Sequence, residues 1–161
     1  MIVVSNTSPV INLAVIGKLD LLRLLYQKIM MPYAVFHEIT VKGAGQPGAS
    51  DVQAANWIER RQVNDPTLVT ALRTELDPGE AEAIALALEL NAELLLIDER
   101  LGRKVASRFG LNFIGLLGLL IDAKHKGFIA AVKPILDDLI IKAGFRVSQH
   151  LRTQILQTTG E

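Results

Sequence analysis

The sequence contains no cysteine among its 161 residues. This absence excludes disulfide bridges, thiolate metal sites and cysteine nucleophiles, and with them a small secreted domain held together by disulfides. Lys plus Arg number 17, as do Asp plus Glu, so no excess of charge indicates a nucleic acid or a membrane surface as a partner. Any such binding must come from a local patch of charge.

Long apolar runs are also missing. Segments such as residues 113–122 contain glycine and are shorter than the ~20 residues that a membrane span requires. The amino terminus enters a strand without the basic segment of a signal peptide, so we expect a cytoplasmic protein that does not insert into a membrane. Half of the residues are hydrophobic, which at this length predicts a single domain over residues 1–161 with a substantial core.

The spacing of apolar residues alternates between the periods of strands and helices. Short apolar runs predict buried strands at residues 2–4, 29–31, 94–97 and 112–114. Helical spacing predicts helices at residues 9–15, 18–26, 33–41, 51–57, 68–76, 78–90, 101–109, 116–126, 129–143 and 148–157. Residues 42–50, which are rich in glycine, predict a loop. Strands that alternate with helices indicate an α/β fold with a parallel sheet and right-handed crossovers.

The first strand is followed at once by the polar residues Ser5, Asn6, Thr7 and Ser8, and then by Pro9. We interpret Ser8 as a helix N-cap and Pro9 as the first helical residue, where the missing N–H costs nothing. In open α/β sheets, ligands bind at the carboxyl ends of the strands. The polar turn therefore predicts a functional edge of the sheet, with Asn6 within it.

Asp98 directly follows the apolar strand at residues 94–97, which puts it at the same edge as Asn6. A carboxylate in this position either has a functional role or caps the following helix, whose first turn would cover residues 99–102. We favour the functional role.

Glu80 follows Asp77 by three residues, and the two fit a capping box at the start of the helix at residues 78–90. Glu82, Glu89 and Glu93 share one stripe of this helix, which predicts its solvated face. Glu80 lies about 200° away from Glu82, on the core-facing side. A carboxylate there, beside the N–H groups of a helix start, predicts a functional role for Glu80.

Glu38 alone would pass for an exposed helix residue, but with Asn6, Glu80 and Asp98 it forms a set that a parallel sheet would gather at one edge. Oxygen ligands without His or Cys suit hard cations such as Mg²⁺, which uses one or two carboxylates plus waters and substrate phosphate. A divalent ion also relieves the repulsion between clustered carboxylates. The set predicts a Mg²⁺ or Mn²⁺ site that activates water for phosphoryl displacement.

Three cations follow Asp98 on the same edge. Arg100, Arg103 and Lys104 either contact substrate phosphates or form a solvated helix face, and the sequence leaves both interpretations open. Arg60 and Arg61 are interpreted as surface charge only.

Two other patterns are not interpreted as sites. Residues 43–48 match GxGxxG, but they follow a helix rather than a strand and contain Pro47, so the context of a dinucleotide-binding loop is missing. His37, His125 and His150 lack the spacing of metal ligands and are interpreted as surface or packing residues.

As a set, four segments resemble the PIN-domain nucleases, in particular the toxin-like branch related to VapC. They are VVSNTSPVINLA at residues 3–14, HE at 37–38, PGEAEAIALA at 78–87 and LLLIDER at 94–100, and FRVS at 145–148 extends the likeness over nearly the whole chain. The resemblance implies a three-layer α/β/α sandwich with a short parallel sheet, metal-dependent ribonuclease activity, a homodimer and a small antitoxin partner.

Carried over to this chain, the resemblance puts the metal-binding acids on Glu38, Glu80 and Asp98 and the small hydroxyl residues on Thr7 and Ser8. The first acid of the family pattern falls on Asn6, whose carbonyl oxygen is a metal ligand without charge.

We therefore expect a Mg²⁺- or Mn²⁺-dependent endoribonuclease, the toxin of a toxin–antitoxin pair. Two alternatives stay open. The first is a weakened or inactive PIN-like module that binds RNA or protein without cleavage, and the second is a phosphoacceptor domain with an acidic pocket.

Overall fold

The fold is built around a parallel sheet of five short strands. The computed structural model describes residues 1–161. The strands are β1 (Val3–Ser5), β2 (Ile29–Pro32), β3 (Ile58–Arg61), β4 (Leu94–Leu96) and β5 (Phe113–Ile114). Their order is β3-β2-β1-β4-β5, and every neighbouring pair is parallel. The central position of β1 puts the polar turn after it in the middle of the carboxyl edge.

Helices occupy most of the connections between the strands. They are α1 (Thr7–Val15), α2 (Asp20–Tyr26), α3 (Tyr33–His37), α4 (Ala49–Ala54), α5 (Pro66–Leu72), α6 (Pro78–Glu89), α7 (Arg100–Arg108), α8 (Leu116–His125), α9 (Lys133–Lys142) and α10 (Gln149–Thr158). Helix α3 continues directly into a π-helical turn, Glu38–Lys42. No helix has both the length and the apolar character needed to cross a membrane.

The two faces of the sheet are covered by separate sets of helices. Side chains alternate along each strand, so Val3 and Leu96 face the core formed with α1, α2, α8 and α9. Val4 and Leu95 face the core formed with α5, α6 and α7. The molecule is thus a three-layer α/β/α sandwich, which confirms the predicted fold class.

Strand β3 was not predicted. Its residues, Ile58–Arg61, include one buried side chain and three charged ones, so they carry no apolar run. The strand exists because it pairs with β2, with Met31 opposite Arg60. An edge strand of this kind depends on its neighbour more than on its own composition.

Seven of the ten helix starts differ from the prediction, six of them by one or two residues. Helix α1 begins at Thr7 with Asn6 as its N-cap residue, so the interpretation of Ser8 as the N-cap was wrong. Pro9 still lies in the first turn, where a proline is tolerated. Helix α9 begins at Lys133 rather than at residue 129, because Pro134 suits only the first turn of a helix.

Candidate metal centre and adjoining groove

Asn6 is held where β1 meets α1. Its backbone N–H donates to the carbonyl oxygen of Leu96, with an N–O distance of 2.9 Å, which continues the pairing of β1 with β4. The residue is 3% exposed. Its position is therefore set by the two central strands, independently of what its side chain binds.

A cleft of about 210 Å³ opens above Asn6. Its lining, which we call the acidic cleft, consists of Asn6, Thr7, Ser8, Ile11, Asn12, Glu38, Asp77, Glu80 and Glu99. Three of the four predicted metal-site residues, together with both predicted hydroxyl residues, share this cleft. Asp98 lies beside it and is not part of its lining.

Glu38 is oriented by a hydroxyl group and by a glycine. The Thr7 hydroxyl donates to Oε2 of Glu38 over 2.8 Å. On the other side, a Cβ atom at Gly79 would lie 3.1 Å from the same Oε2 and 3.5 Å from Oδ1 of Asn6. Because Gly79 has no side chain, the carboxylate of Glu38 and the amide oxygen of Asn6 both approach the start of α6.

Glu80 carries the strongest electrostatic perturbation of the cleft. The residue is 8% exposed. Burial raises its pKa to about 8, and a hydrogen bond to Asp77 and the negative charges of Asp77, Glu99 and Glu38 add to the effect. Its backbone N–H donates to Oδ1 of Asp77 over 2.8 Å, as the predicted helix cap requires. The cleft thus concentrates negative charge without a cation of the protein to balance it.

A second glycine makes room for Glu80. A Cβ atom at Gly102, in the first turn of α7, would lie 3.2 Å from Oε2 of Glu80 and 2.6 Å from Cδ1 of Ile97. The absence of a side chain at Gly102 therefore lets α7 pack closely against both residues.

Asp98 connects three elements at the edge of the cleft. Its Oδ1 accepts the backbone N–H of Leu116 over 2.8 Å, and its Oδ2 accepts the hydroxyl of Ser8 over 3.2 Å. Burial raises its pKa, while the donors Leu116 and Ser8 and the charge of Arg103 partly offset this effect. The carboxylate binds the start of α8 and not that of α7, so the alternative that it caps the helix directly after it was wrong.

Gly115 is required by the same contact. A Cβ atom at Gly115, the N-cap residue of α8, would lie 2.6 Å from Oδ1 of Asp98. Any larger residue would displace the carboxylate.

The three predicted phosphate-binding cations lie in a neighbouring groove. This groove, which we call the basic groove, encloses about 630 Å³ and is lined by Arg100, Arg103, Lys104, Ser107 and Phe113. The guanidinium carbon of Arg103 lies 5.3 Å from the centroid of the Phe113 ring. None of the three cations forms an ion pair. Glu99 lines the cleft and Arg100 the groove, so the two meet at the start of α7.

Sequence reasoning missed three polar residues of the cleft. Asp77 was assigned only to the helix cap, and Asn12 and Glu99 were assigned no role. The position of Glu99 next to Asp98 was a usable signal, since either residue can face the edge of the sheet. The spacing of four residues between Ser8 and Asn12 was another, and Nδ2 of Asn12 donates to the Ser8 hydroxyl over 3.0 Å.

The predicted solvated face of α6 was wrong at Glu82 and Glu89, which are half-buried, whereas Glu93 is exposed. Glu82 accepts the backbone N–H of Ala34 over 3.1 Å, and Glu89 accepts those of Asn64 and Asp65, each over 2.8 Å. These carboxylates connect α6 to the chain segments that pack on it. Helix α6 therefore packs into the core on one side, and on the other its carboxylates accept hydrogen bonds from backbone N–H groups.

Side chains of the cleft do not form a closed metal cage. No three Asp, Glu or His side chains converge closely enough to hold one ion between them. A metal ion at this edge would therefore need oxygen ligands beyond the carboxylates, such as the Asn6 amide, water or a phosphate group.

The fold and the clustered carboxylates define an α/β/α domain with an acidic site at the carboxyl edge of its sheet. The family model of the PIN domain matches residues 2–161, and the chain belongs to this family. PIN domains are generally nucleases that act on nucleic acids and use divalent metal ions. A search of curated proteins finds no match to the chain.

Proposed function

We propose that this PIN domain is a Mg²⁺- or Mn²⁺-dependent endoribonuclease of the VapC-like toxin branch. The observation that carries the proposal is the acidic cleft, where Glu38 and Glu80 lie beside Asn6 at the carboxyl edge of the sheet. As a toxin it would act on RNA in the cytoplasm, form a homodimer and bind a small antitoxin protein. The whole chain, residues 1–161, would act as a single PIN-like domain.

The donor set of the cleft fits Mg²⁺ or Mn²⁺. All candidate ligands are oxygen atoms, and Mg²⁺ is typically held by one or two carboxylates plus waters and substrate phosphates. Glu38 and Glu80 supply carboxylates, and Asn6 supplies an amide oxygen. Burial first, and the negative charges of Asp77, Glu99 and Glu38 after it, raise the pKa of Glu80 to about 8, and a divalent cation would favour the ionised carboxylate. Asp98, at the rim, would reach the ion directly or through water.

Once bound, such an ion lowers the pKa of a coordinated water and stabilises charge that develops on the scissile phosphate. Side chains of the protein position the carboxylates that would bind the ion. Thr7 holds the carboxylate of Glu38, and Ser8 holds that of Asp98. The basic groove would bind phosphates next to the cleaved bond, because its cations form no ion pair within the protein and adjoin the cleft.

The second candidate function is binding of RNA or protein without cleavage. Asn6 favours it, because an amide in place of a carboxylate brings no charge to the metal ligands. In this case the basic groove and the cleft would bind RNA as one surface, with turnover absent.

A cleavage assay separates the two functions. A mixed pool of RNA is incubated in Mn²⁺ with the parent protein, with Glu38→Gln and, as a matched control, with Glu75→Gln. We expect cleavage by the parent and by Glu75→Gln, since Glu75 forms only an exposed ion pair with Arg108. Glu38→Gln should lose activity by about 100-fold or more, because it removes a charged ligand. Stoichiometric RNA binding by all three proteins without cleavage would contradict the proposed nuclease activity and would support the second function, binding without cleavage.

A further inference from the structure

A further pocket lies by β2 and β3, on the side of the acidic cleft that is away from the basic groove. It encloses about 210 Å³ and is lined by Tyr33, Phe36, His37, Val41 and Arg60, a set that we call the aromatic pocket. Tyr33 is 53% exposed and Val41 58% exposed. Two large side chains are thus left open to solvent around one concave surface.

The aromatic pocket combines stacking surfaces with positive charge. The guanidinium carbon of Arg60 lies 4.5 Å from the centroid of the Phe36 ring, so its planar group is already stacked on an aromatic face. Arg60 forms no ion pair, and no acidic residue lines the pocket. Proteins bind unpaired nucleobases by stacking them on aromatic rings and on guanidinium planes.

The position of the pocket relates it to the cleft. Tyr33 follows the last residue of β2, and Arg60 lies near the carboxyl end of β3. His37 lines the pocket and the next residue, Glu38, lines the acidic cleft. In the order of the sheet, the aromatic pocket lies by β3 and β2, the cleft above β1, and the basic groove by β4 and β5. A strand of nucleic acid that crosses this edge would meet all three in turn.

We propose that the aromatic pocket binds one unpaired nucleobase of the RNA strand, on the side of the cleft opposite to the basic groove. The proposal rests on the proposed function, because it takes RNA as the substrate. It implies a preference for single-stranded RNA, since a base within a duplex is stacked and paired and does not reach a side pocket.

The test measures the binding of short single-stranded RNA in EDTA, where metal-dependent cleavage is absent, by fluorescence anisotropy. One series of oligonucleotides carries a single abasic nucleotide at successive positions. The variant is Tyr33→Ala with Arg60→Gln, two exposed residues, while Phe36 stays unchanged because it packs against the core. The matched control is Phe128→Ala with Arg146→Gln, an exposed pair outside the three sites.

For the parent and the control, we expect one abasic position to weaken binding by roughly 5- to 100-fold. The variant should bind intact RNA more weakly by a similar factor and should no longer respond to the abasic position. This loss of response is specific to a contact between the base and the pocket, because a general weakening of affinity would leave it in place. A thermal melt of each variant verifies that it is folded.

The outcomes distinguish this proposal from the nuclease proposal. If the parent binds RNA with the expected response but does not cut it in Mn²⁺, the proposal of nuclease activity is wrong and the proposal of a base-binding pocket is supported. If the parent cuts RNA while the variant keeps the response to the abasic position, the proposal of a base-binding pocket is wrong and the proposal of nuclease activity is supported. If light scattering finds that the variant changes oligomeric state, the pocket is an interface between copies of the chain, which also overturns the proposal.

Discussion

At the scale of single residues, Asn6 has the largest consequence for chemistry. The residue is buried, anchored through its backbone to β4, and faces a cleft that also contains Glu38 and Glu80. An aspartate has nearly the same shape and differs by one negative charge. Replacing Asn6 by aspartate therefore tests the effect of one negative charge while the shape of the side chain stays nearly the same.

We expect Asn6→Asp to need about tenfold less Mn²⁺ for half-maximal RNA cleavage, because a charged ligand binds a divalent ion more strongly than an amide. Without metal, the new carboxylate would be buried beside the carboxylate of Glu38, which repels it, so the thermal stability should fall below that of the parent. Added Mn²⁺ should then raise the melting temperature of Asn6→Asp more than that of the parent.

The measurements are a Mn²⁺ titration of cleavage and a thermal melt with and without Mn²⁺. Equal Mn²⁺ dependence of the parent and of Asn6→Asp, in both experiments, would contradict a metal ion next to Asn6.

At the scale of elements, the predicted and observed structures agree best where a local signal was complete. Helix α6 begins as predicted because Asp77, Pro78 and Glu80 together form a helix start that depends only on neighbouring residues. Strand β4 was identified because its three leucines and Ile97 form an apolar run that is followed by the charged residue Asp98. Strand β3 was missed because three of its four residues are charged and only its pairing with β2 orders it.

Asp98 connects β4 with the starts of α1 and α8, and its removal tests that connection. Asp98→Ala leaves the N–H of Leu116 and the hydroxyl of Ser8 without their acceptor, so the free energy of unfolding should fall by about 1–2 kcal/mol. Asp98→Asn keeps an acceptor oxygen and should cost less, since burial raises the pKa of Asp98 and already disfavours its charge.

Urea unfolding of both variants checks this order, with Asp138→Ala as the control. Asp138 forms only an exposed ion pair with Lys142, so its loss should change stability by less than about 0.5 kcal/mol. A cost for Asp98→Asn equal to that for Asp98→Ala would show that the charge, and not the acceptor, stabilises the connection.

At the scale of the whole molecule, the last helix is joined to the sandwich by the side chain of Glu161. Its carboxylate accepts the backbone N–H groups of Val132 and Lys133, each over 2.9 Å, at the start of α9. Lys124 of α8 donates to it over 3.0 Å. Helix α8, the start of α9 and the short segment that follows α10 therefore meet at one carboxylate.

The pH dependence of stability tests this contact. Burial opposes ionisation of Glu161, but the N–H groups of Lys133 and Val132 and the side chains of Lys124 and Thr159 outweigh it and lower the pKa to about 2. Because the folded pKa lies below the ordinary value of 4.5, the stabilisation is complete above pH 4.5 and is lost as the pH falls toward 2.

We expect Glu161→Gln to melt about 2–4 °C below the parent at pH 7, as about 1 kcal/mol would produce in a chain of this size. The difference should shrink as the pH falls below 4.5. Calorimetry over this pH range measures it, and a difference that does not change with pH would rule out the ionised carboxylate as its source.

The sequence by itself determined the class of fold, the strand β4, the capped start of α6 and the oxygen-only chemistry at the edge of the sheet. These features depend on apolar periodicity, capping residues and residue type, which are properties of neighbouring positions. It also predicted that Asn6, Glu38, Glu80 and Asp98 would meet, because the carboxyl ends of parallel strands share one edge, and the first three share the cleft.

Only the tertiary structure decided which oxygen atoms share one cleft and which cations lie apart from it. Asp77 and Glu99 face the cleft while Asp98 binds the start of α8, and the cations of α7 line a groove of their own. These outcomes depend on distances between elements far apart in the chain and on glycines that let a carboxylate approach, at Gly79, Gly102 and Gly115. Local patterns carry no information on such distances, because the packing of helices against both faces of the sheet sets them.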